Sequence, residues 1–259
     1  MRPKLFWVLL AVVVETGFAQ TRSVTDPGVV TTRQTITPAG TPTIFKGRVY
    51  GVAFGTSASE LYVLNATELF HLDQKANRVL GSWTLGGNPG LQSLRFDNKL
   101  STPLVGLVNQ NTGIQLASIG ANQRRVLANN LGKNLAGAFD TAAEPDNKGR
   151  RVAVLPLVAA NKVAIIDLEG KAETQYASTG IAPFGAAVAR NGSVVYVTNW
   201  GGRLAKSGDL TAPTGLAPTA DRVVVDERGV ASTGTVTRID LNTLSTTHTI
   251  TVGLHPTAV

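Results

Sequence analysis

The side chains that most often carry enzyme chemistry are few in this chain, and they are scattered. The sequence has three histidines, His71, His248 and His255, and no cysteine. His71 and His248 lie in strand-like segments with no second ligand at metal-binding spacing, and thiolate ligation is excluded. His255 begins a turn, and its side chain can hydrogen-bond to the backbone of that turn. We therefore predict no metal site and no cofactor.

Acidic residues recur in a pattern that favours structure over catalysis. Asp73, Asp167 and Asp240 each follow a short apolar segment. Repetition of one acid at one structural position indicates hydrogen bonding to the backbone of a turn. The chain also has no nucleophile elbow, no phosphate loop and no HExxH motif. No catalytic residue is predicted.

The clearest candidate for a binding feature begins with VVYVTNWGG, Val194–Gly202. A strand ends there in an aromatic residue and two glycines, which allow a sharp turn. The insertion that follows, 203–231, is longer than an ordinary connection, and such loops are usually functional or disordered. The alternative is a decorated structural loop with the tryptophan packed beneath it. The candidate binding residues are Asn199, Trp200, Arg203, Asp226, Arg228 and His255.

Four short strand-like segments recur as a unit along the chain. The first segments of successive units are VYGVAFG, GLQSLRFD, LAGAFDTA and PFGAAVARNG. A four-stranded unit repeating at roughly 40–50 residues is typical of a β-propeller, whose blades bury both faces only by stacking. We predict an all-β fold, a β-propeller with four-stranded antiparallel blades, with about four blades present in an incomplete ring. A β-sandwich does not account for four strands in each period.

The repeat also sets the predicted domain boundaries. The blades are placed at 48–87, 88–133, 134–181 and 182–254, and HPTAV at 255–259 starts a fifth blade. Residues 20–47 form an N-terminal segment with a strand before the first blade. Truncation of a longer propeller is the favoured reading of the last blade. In the alternative, Thr31–Ile36 pairs with HPTAV and closes a small ring.

The first residues, MRPKLFWVLLAVVVETGFAQ, have the pattern of a secretory signal. Basic Arg2 and Lys4 precede an apolar run of about ten residues, and small residues precede a cleavage site near Ala19. The run is shorter than the roughly twenty residues of a membrane span, and no later segment is long enough to be one. We predict a signal peptide at 1–19 and a secreted or periplasmic bacterial protein. The alternative is a buried N-terminal helix.

Charge and composition limit the partners. The net charge is +7, yet aromatic residues make up only 6% and the basic residues are scattered. Nucleic-acid binders usually show a denser basic stripe with aromatic partners, so no nucleic acid is predicted. The expected partner is a protein or small ligand at a propeller rim.

The residues at 194–259 resemble the YVTN-type propeller repeat. VVYVTN is followed by VTRIDLN, a threonine-rich strand and the turn GLHP. The third unit repeats the theme with Ile165-Ile166-Asp167 and GIAP, the first has a weaker copy in LYVLNA and LFHLD, and the second lacks the matching aspartate. The resemblance covers about 29–259 as fold and is specific across about 150–259.

A narrower resemblance involves NWGGR, VVVDERGVASTGTV, GLHPTA and TTRQTITPAG. These runs are similar to secreted bacterial proteins that join an N-terminal YVTN propeller to a C-terminal phosphoesterase domain. The resemblance implies that such a domain would lie beyond Val259, because none of its metal-binding motifs occurs in this sequence.

Three functions follow as hypotheses. The first is an exported, non-catalytic propeller that acts as an interaction or ligand-binding module. The second is the accessory part of a larger secreted phosphoesterase. The third is a propeller-type lactonase, which would require convergent acidic and histidine groups at the central channel that the sequence does not supply.

Overall fold

Short segments rich in valine, leucine, isoleucine and threonine form the strands, and asparagine, aspartate and glycine separate them. The computed structural model describes residues 42–45, 47–120, 123–217 and 219–259. The predicted signal peptide and the N-terminal strand at Thr31–Ile36 lie outside the described residues. Residues 43–259 form one compact unit. No helix in the described ranges is long and apolar enough to cross a membrane.

Four antiparallel sheets of four strands follow one another along the described chain. The first contains β1 (Val49–Phe54), β2 (Glu60–Asn65), β3 (Glu68–Asp73) and β4 (Arg78–Thr84). The second contains β5 (Asn88–Asp97), β6 (Thr102–Asn109), β7 (Gly113–Ile119) and β8 (Arg124–Ala128). Within each of these sheets, neighbours in sequence are neighbours in space, so each sheet is a simple meander.

The third sheet contains β9 (Asp140–Thr141), β10 (Val152–Leu157), β11 (Lys162–Asp167) and β12 (Gln175–Ser178). A 3-10 turn, Val158–Ala160, follows β10. The fourth sheet contains β13 (Ile181–Val188), β14 (Val194–Gly202), β17 (Gly234–Asp240) and β18 (Ser245–Val252). Between β14 and β17 the chain forms a separate hairpin of β15 (Thr211–Pro213) and β16 (Arg222–Val224).

Aspartates close the turns after the third strands. The carboxylates of Asp73, Asp167 and Asp240 each accept two backbone N–H bonds from the following turn, at 2.9–3.1 Å. The bonds from Thr243 and Asn242 hold the pKa of Asp240 below its usual range. The predicted turn role of these repeated aspartates is confirmed.

Apolar layers join successive sheets. Leu64 and Leu107 are fully buried between the first and second sheets, Leu116 and Leu155 between the second and third, and Val197 with its neighbours between the third and fourth. Each fully buried leucine or valine contributes about 1.5–3 kcal/mol relative to an exposed one. Stacking of sheets is therefore the main source of stability.

Glycine in or just before the first strand of a sheet allows close approach of the next sheet. A Cβ on Gly137 would lie 2.3 Å from the carbonyl oxygen of Phe184, and one on Gly90 would lie 2.5 Å from that of Ala136. A Cβ on Gly185 would likewise lie 2.5 Å from the carbonyl oxygen of Thr257. Ala138 pairs in parallel with Gly185 across two sheets. First strands that lie side by side in this manner define a β-propeller with four-stranded blades, as the sequence predicts.

Candidate functional site

The candidate site lies at one rim of the propeller, where second strands end. Asn199, the asparagine of the YVTN run, is fully buried near the end of β14. Its Oδ1 accepts the Gly180 N–H at 3.1 Å, and its Nδ2 donates to Thr235 Oγ1 at 3.0 Å and Thr237 Oγ1 at 2.9 Å. Both the oxygen and the nitrogen of the Asn199 amide therefore have hydrogen-bond partners. Asn199 thus holds the backbone in place just before Trp200.

Trp200 is half-buried and packs on the first strand of the same blade. Its ring stacks on Phe184 with centroids 3.9 Å apart and planes 14° apart. The indole Nε1 is buried and has no hydrogen-bond partner among the described residues. A buried indole N–H normally has a partner, so Trp200 lacks the bond that usually satisfies this donor.

The two glycines after Trp200 make room for the insertion and let the chain turn into it. A Cβ on Gly201 would lie 2.5 Å from Ile181 Cγ2 and 2.7 Å from Val223 Cγ1. Val223 belongs to β16, so the absent side chain lets the inserted hairpin pack against the fourth blade. Gly202 has φ +73°, which turns the chain out of the sheet at low cost.

The insertion is held together by its own ion pairs. Arg203 donates two bonds to Asp209, at 2.6 and 2.8 Å. These bonds, with the backbone N–H of Lys206, hold the pKa of Asp209 far below its usual range. Asp226 accepts from the Arg228 guanidinium at 2.7 and 3.0 Å, and that pairing lowers the pKa of Asp226.

One side-chain bridge joins two blades to the insertion. Asn161 follows β10 in the left-handed conformation, φ +52°. Its Oδ1 accepts the Ala182 N–H at 2.9 Å, and its Nδ2 donates to Asp221 Oδ2 at 2.9 Å. The bridge lies beside a cavity of about 550 Å³ between the third blade, the fourth blade and the inserted hairpin. We call it the rim cavity; it is lined by Asn134, Val158, Ala159, Asn161, Ile181, Ala182, Trp200, Thr214, Gly215, Leu216, Ala217, Thr219, Ala220 and Asp221.

The structure brings together only part of the predicted binding set. Trp200 lines the rim cavity, and Asn199 lies behind it. Arg203, Asp226 and Arg228 belong to the insertion but do not line this cavity. Their binding roles stay predictions, as does that of His255, an exposed residue with φ +49° in the last segment.

The sequence reasoning missed Asn161 and Asp221 as site residues. In the sequence Asn161 is an asparagine between two strand-like segments and Asp221 is one of several charged residues in the insertion, so neither pattern marks a site. The two are far apart in sequence and belong to different elements. Only the stacking of the third and fourth blades brings them together.

A second polar cluster lies in the first blade. Glu60 Oε1 accepts from the Tyr62 hydroxyl at 2.8 Å, and His71 Nε2 lies 3.1 Å from the same oxygen, outside hydrogen-bond geometry. Burial, with the Glu60 bond, raises the pKa of Tyr62 well above its usual range. Burial also acts to raise the pKa of Glu60, but bonds from Tyr62 and Thr56 outweigh it and hold that pKa low. The described residues contain no group of three or more His, Asp or Glu side chains that could hold a metal ion.

The blades and the rim cavity define the class of this protein, a β-propeller with an inserted hairpin at one rim. No protein-family model and no curated protein matches the sequence. The fold is similar to hydrazine synthase of Kuenenia stuttgartiensis, with TM-score 0.53, 10% identity, and 79% of this chain and 49% of that chain covered. It is also similar to a chain in a nidogen/laminin complex, with TM-score 0.52, 14% identity, and 81% and 64% covered. The chain thus spans less than two thirds of these proteins, and at such identities the likeness concerns the fold alone.

Proposed function

We propose that this protein is an exported, non-catalytic β-propeller that binds a ligand in the rim cavity. The observation that carries the proposal is the cavity of about 550 Å³ with Trp200 in its lining. A concave site with an aromatic side chain and a few polar groups is the usual form of a ligand site. The Asn161–Asp221 bridge links the insertion to both blades and gives the cavity a preformed wall.

The proposal of export rests on the signal pattern at residues 1–19. It predicts a mature protein that begins near Gln20 in the secreted or periplasmic fraction of a bacterial host. Mass spectrometry of the exported protein would show this N-terminus. Recovery of only uncleaved protein inside the cell would contradict export.

The proposal that these blades are YVTN-type repeats draws support from a recurring contact. An asparagine at or near the end of the second strand lies against the glycine before its own blade: Asn199 accepts from Gly180, and Asn109 donates to the Gly86 carbonyl at 3.1 Å. This contact gives a physical reason why the asparagine of YVTN and the glycine of G-x-x-P occur together in the repeat.

A second candidate function is the accessory part of a secreted phosphoesterase, on the resemblance of NWGGR and GLHPTA described above. The coding sequence beyond the codon for Val259 would test it directly. A continuing frame with a domain bearing aspartate and histidine metal ligands supports the accessory role. A stop codon at that position contradicts it.

Ligand binding is best tested with Trp200 as the reporter. In a Trp7→Phe/Trp83→Phe variant, Trp200 is the single tryptophan, since the chain has three. We would titrate it with neutral sugars, amino acids, organic amines and carboxylates, and follow its emission. Binding by one of these classes should shift or quench the emission with saturation.

Two matched variants decide whether the signal comes from the cavity. Ala159 lines the cavity, whereas Ala160, in the same exposed turn, does not. Ala159→Trp, read by calorimetry, should abolish binding, and Ala160→Trp should leave it unchanged. Equal effects of the two variants, or no saturable binding by any class, would overturn the proposal.

A further inference from the structure

Two further cavities lie next to the rim cavity along the same rim. A cavity of about 480 Å³ shares Asn134 with the rim cavity, and one of about 270 Å³ shares residues 108–111 with its neighbour. We call the three together the amide groove. It crosses the turns between β6 and β7, the segment before the third blade, and the end of β10.

Side-chain amides dominate the polar lining of this groove. Four of them form no side-chain hydrogen bond within the described part of the chain, and each is exposed: Asn88, Gln110, Asn111 and Asn134. An amide both donates and accepts, so each offers a ligand two kinds of bond.

Charge is nearly absent from the groove. Among its described lining residues only Lys133 and Asp221 are charged, and they differ in sign. The whole chain, in contrast, has a net charge of +7. A groove for a polyanion would concentrate that positive charge, so this groove is suited to a neutral ligand.

The strand that ends in the groove, β6, has no free edge. β6 pairs with β5 on one side and with β7 on the other, so its N–H and C=O groups are already used. An extended peptide usually binds by adding a strand to a free edge, and β6 does not offer one. A ligand that binds through hydroxyl groups needs only side-chain donors and acceptors, and the groove has both.

We infer that the amide groove binds a neutral glycan chain, with one sugar in the rim cavity beside Trp200 and further sugars along the amides. The inference rests on the proposed function, and names the class of its ligand. The amides can donate to and accept from sugar hydroxyls, and the Trp200 side chain lines the end of the groove. Several sugars are needed to fill all three cavities.

The test uses cello-, chito- and malto-oligosaccharides of increasing length with the full chain, measured by isothermal titration calorimetry. Affinity in one series should rise with each added sugar and then level off when the groove is filled. Binding should not weaken with added salt, because no ion pair with the ligand is involved. Polygalacturonate serves as the charged control, whose binding to a basic protein is salt-sensitive.

Paired variants locate the sugars. Gln110→Ala/Asn111→Ala should lower affinity for the long oligomers about tenfold while the disaccharide affinity stays constant. Gln123→Ala is the matched control, an exposed amide in the turn between β7 and β8, at the opposite end of β7. It should change neither affinity.

The outcomes separate this inference from the proposed function. Length-independent binding that Ala159→Trp abolishes overturns the extended glycan site and leaves the rim cavity as a ligand site. Binding of an unstructured Gly-Ser peptide in place of all three oligosaccharide series overturns the glycan and favours a peptide. Absence of binding by every probe, including the small-molecule classes above, overturns both.

Discussion

At the scale of single residues, the buried asparagine of the YVTN run is the clearest link between sequence and structure. Replacing Asn199 with alanine would leave the Gly180 N–H and the hydroxyls of Thr235 and Thr237 without their partner. We expect a loss of about 1–3 kcal/mol in the free energy of unfolding, measured with urea. Asn109→Ala, at the less buried equivalent position, should cost less. Equal losses would show that burial of the amide is unimportant.

Asp146 makes stability depend on pH. Its carboxylate accepts backbone bonds from Lys148 and Arg150 and pairs with the Arg150 guanidinium at 2.8 Å. Burial acts to raise its pKa, but these bonds prevail and hold the pKa below that of an ordinary aspartate. A depressed folded-state pKa stabilises the protein above the unfolded value of about 3.9, and that contribution is lost as the pH falls through the folded value.

We therefore expect wild-type unfolding free energy to decrease from about pH 4 downward. Asp146→Asn should be less stable than wild type at pH 7, and its decline in acid should be shallower. Urea midpoints across this pH range measure both effects. Parallel curves for the two proteins would show that another carboxylate accounts for the acid sensitivity.

At the scale of elements, a glycine in or just before the first strand of a blade controls how closely two blades approach. Gly137→Ala would place a Cβ 2.3 Å from the Phe184 carbonyl oxygen, so a blade must move. Such overpacking typically costs about 1–3 kcal/mol. Gly81→Ala in β4 meets nothing closer than Trp83 at 3.8 Å and is the control. Thermal unfolding would compare the two, and a tolerated Gly137→Ala would contradict tight stacking of first strands.

The elements were predictable from sequence because their signals are local. Short apolar segments that recur four to a unit indicated the strands, and the aspartates at 73, 167 and 240 indicated the turns that the structure has. Only one feature of the rim cavity could be predicted from the sequence. Trp200 was visible as an aromatic residue at the end of a strand, whereas the Asn161–Asp221 bridge depends on how two blades stack, which no local pattern records. The free amides of the groove likewise read only as turn residues.

At the scale of the whole molecule, apolar layers and a buried ion pair hold the blades together. Asp97, at the end of β5, pairs with Arg151, just before β10, and the two side chains are 2% and 6% exposed. The pair therefore spans the second and third blades. Asp97 also accepts backbone bonds from Lys99 and Leu100, so its carboxylate would remain buried if the arginine were lost.

Breaking this pair should test whether the propeller unfolds as one unit. Arg151→Met leaves an uncompensated buried carboxylate, and we expect it to cost about 3–5 kcal/mol. Asp97→Asn/Arg151→Met removes the charge while keeping an acceptor for the turn, and it should recover much of the loss. Since each blade of a repeat fold contacts only its neighbours, weakening one junction should also split a single urea transition into two. A single transition for Arg151→Met with full loss of stability would show instead that the apolar layers alone keep the blades cooperative.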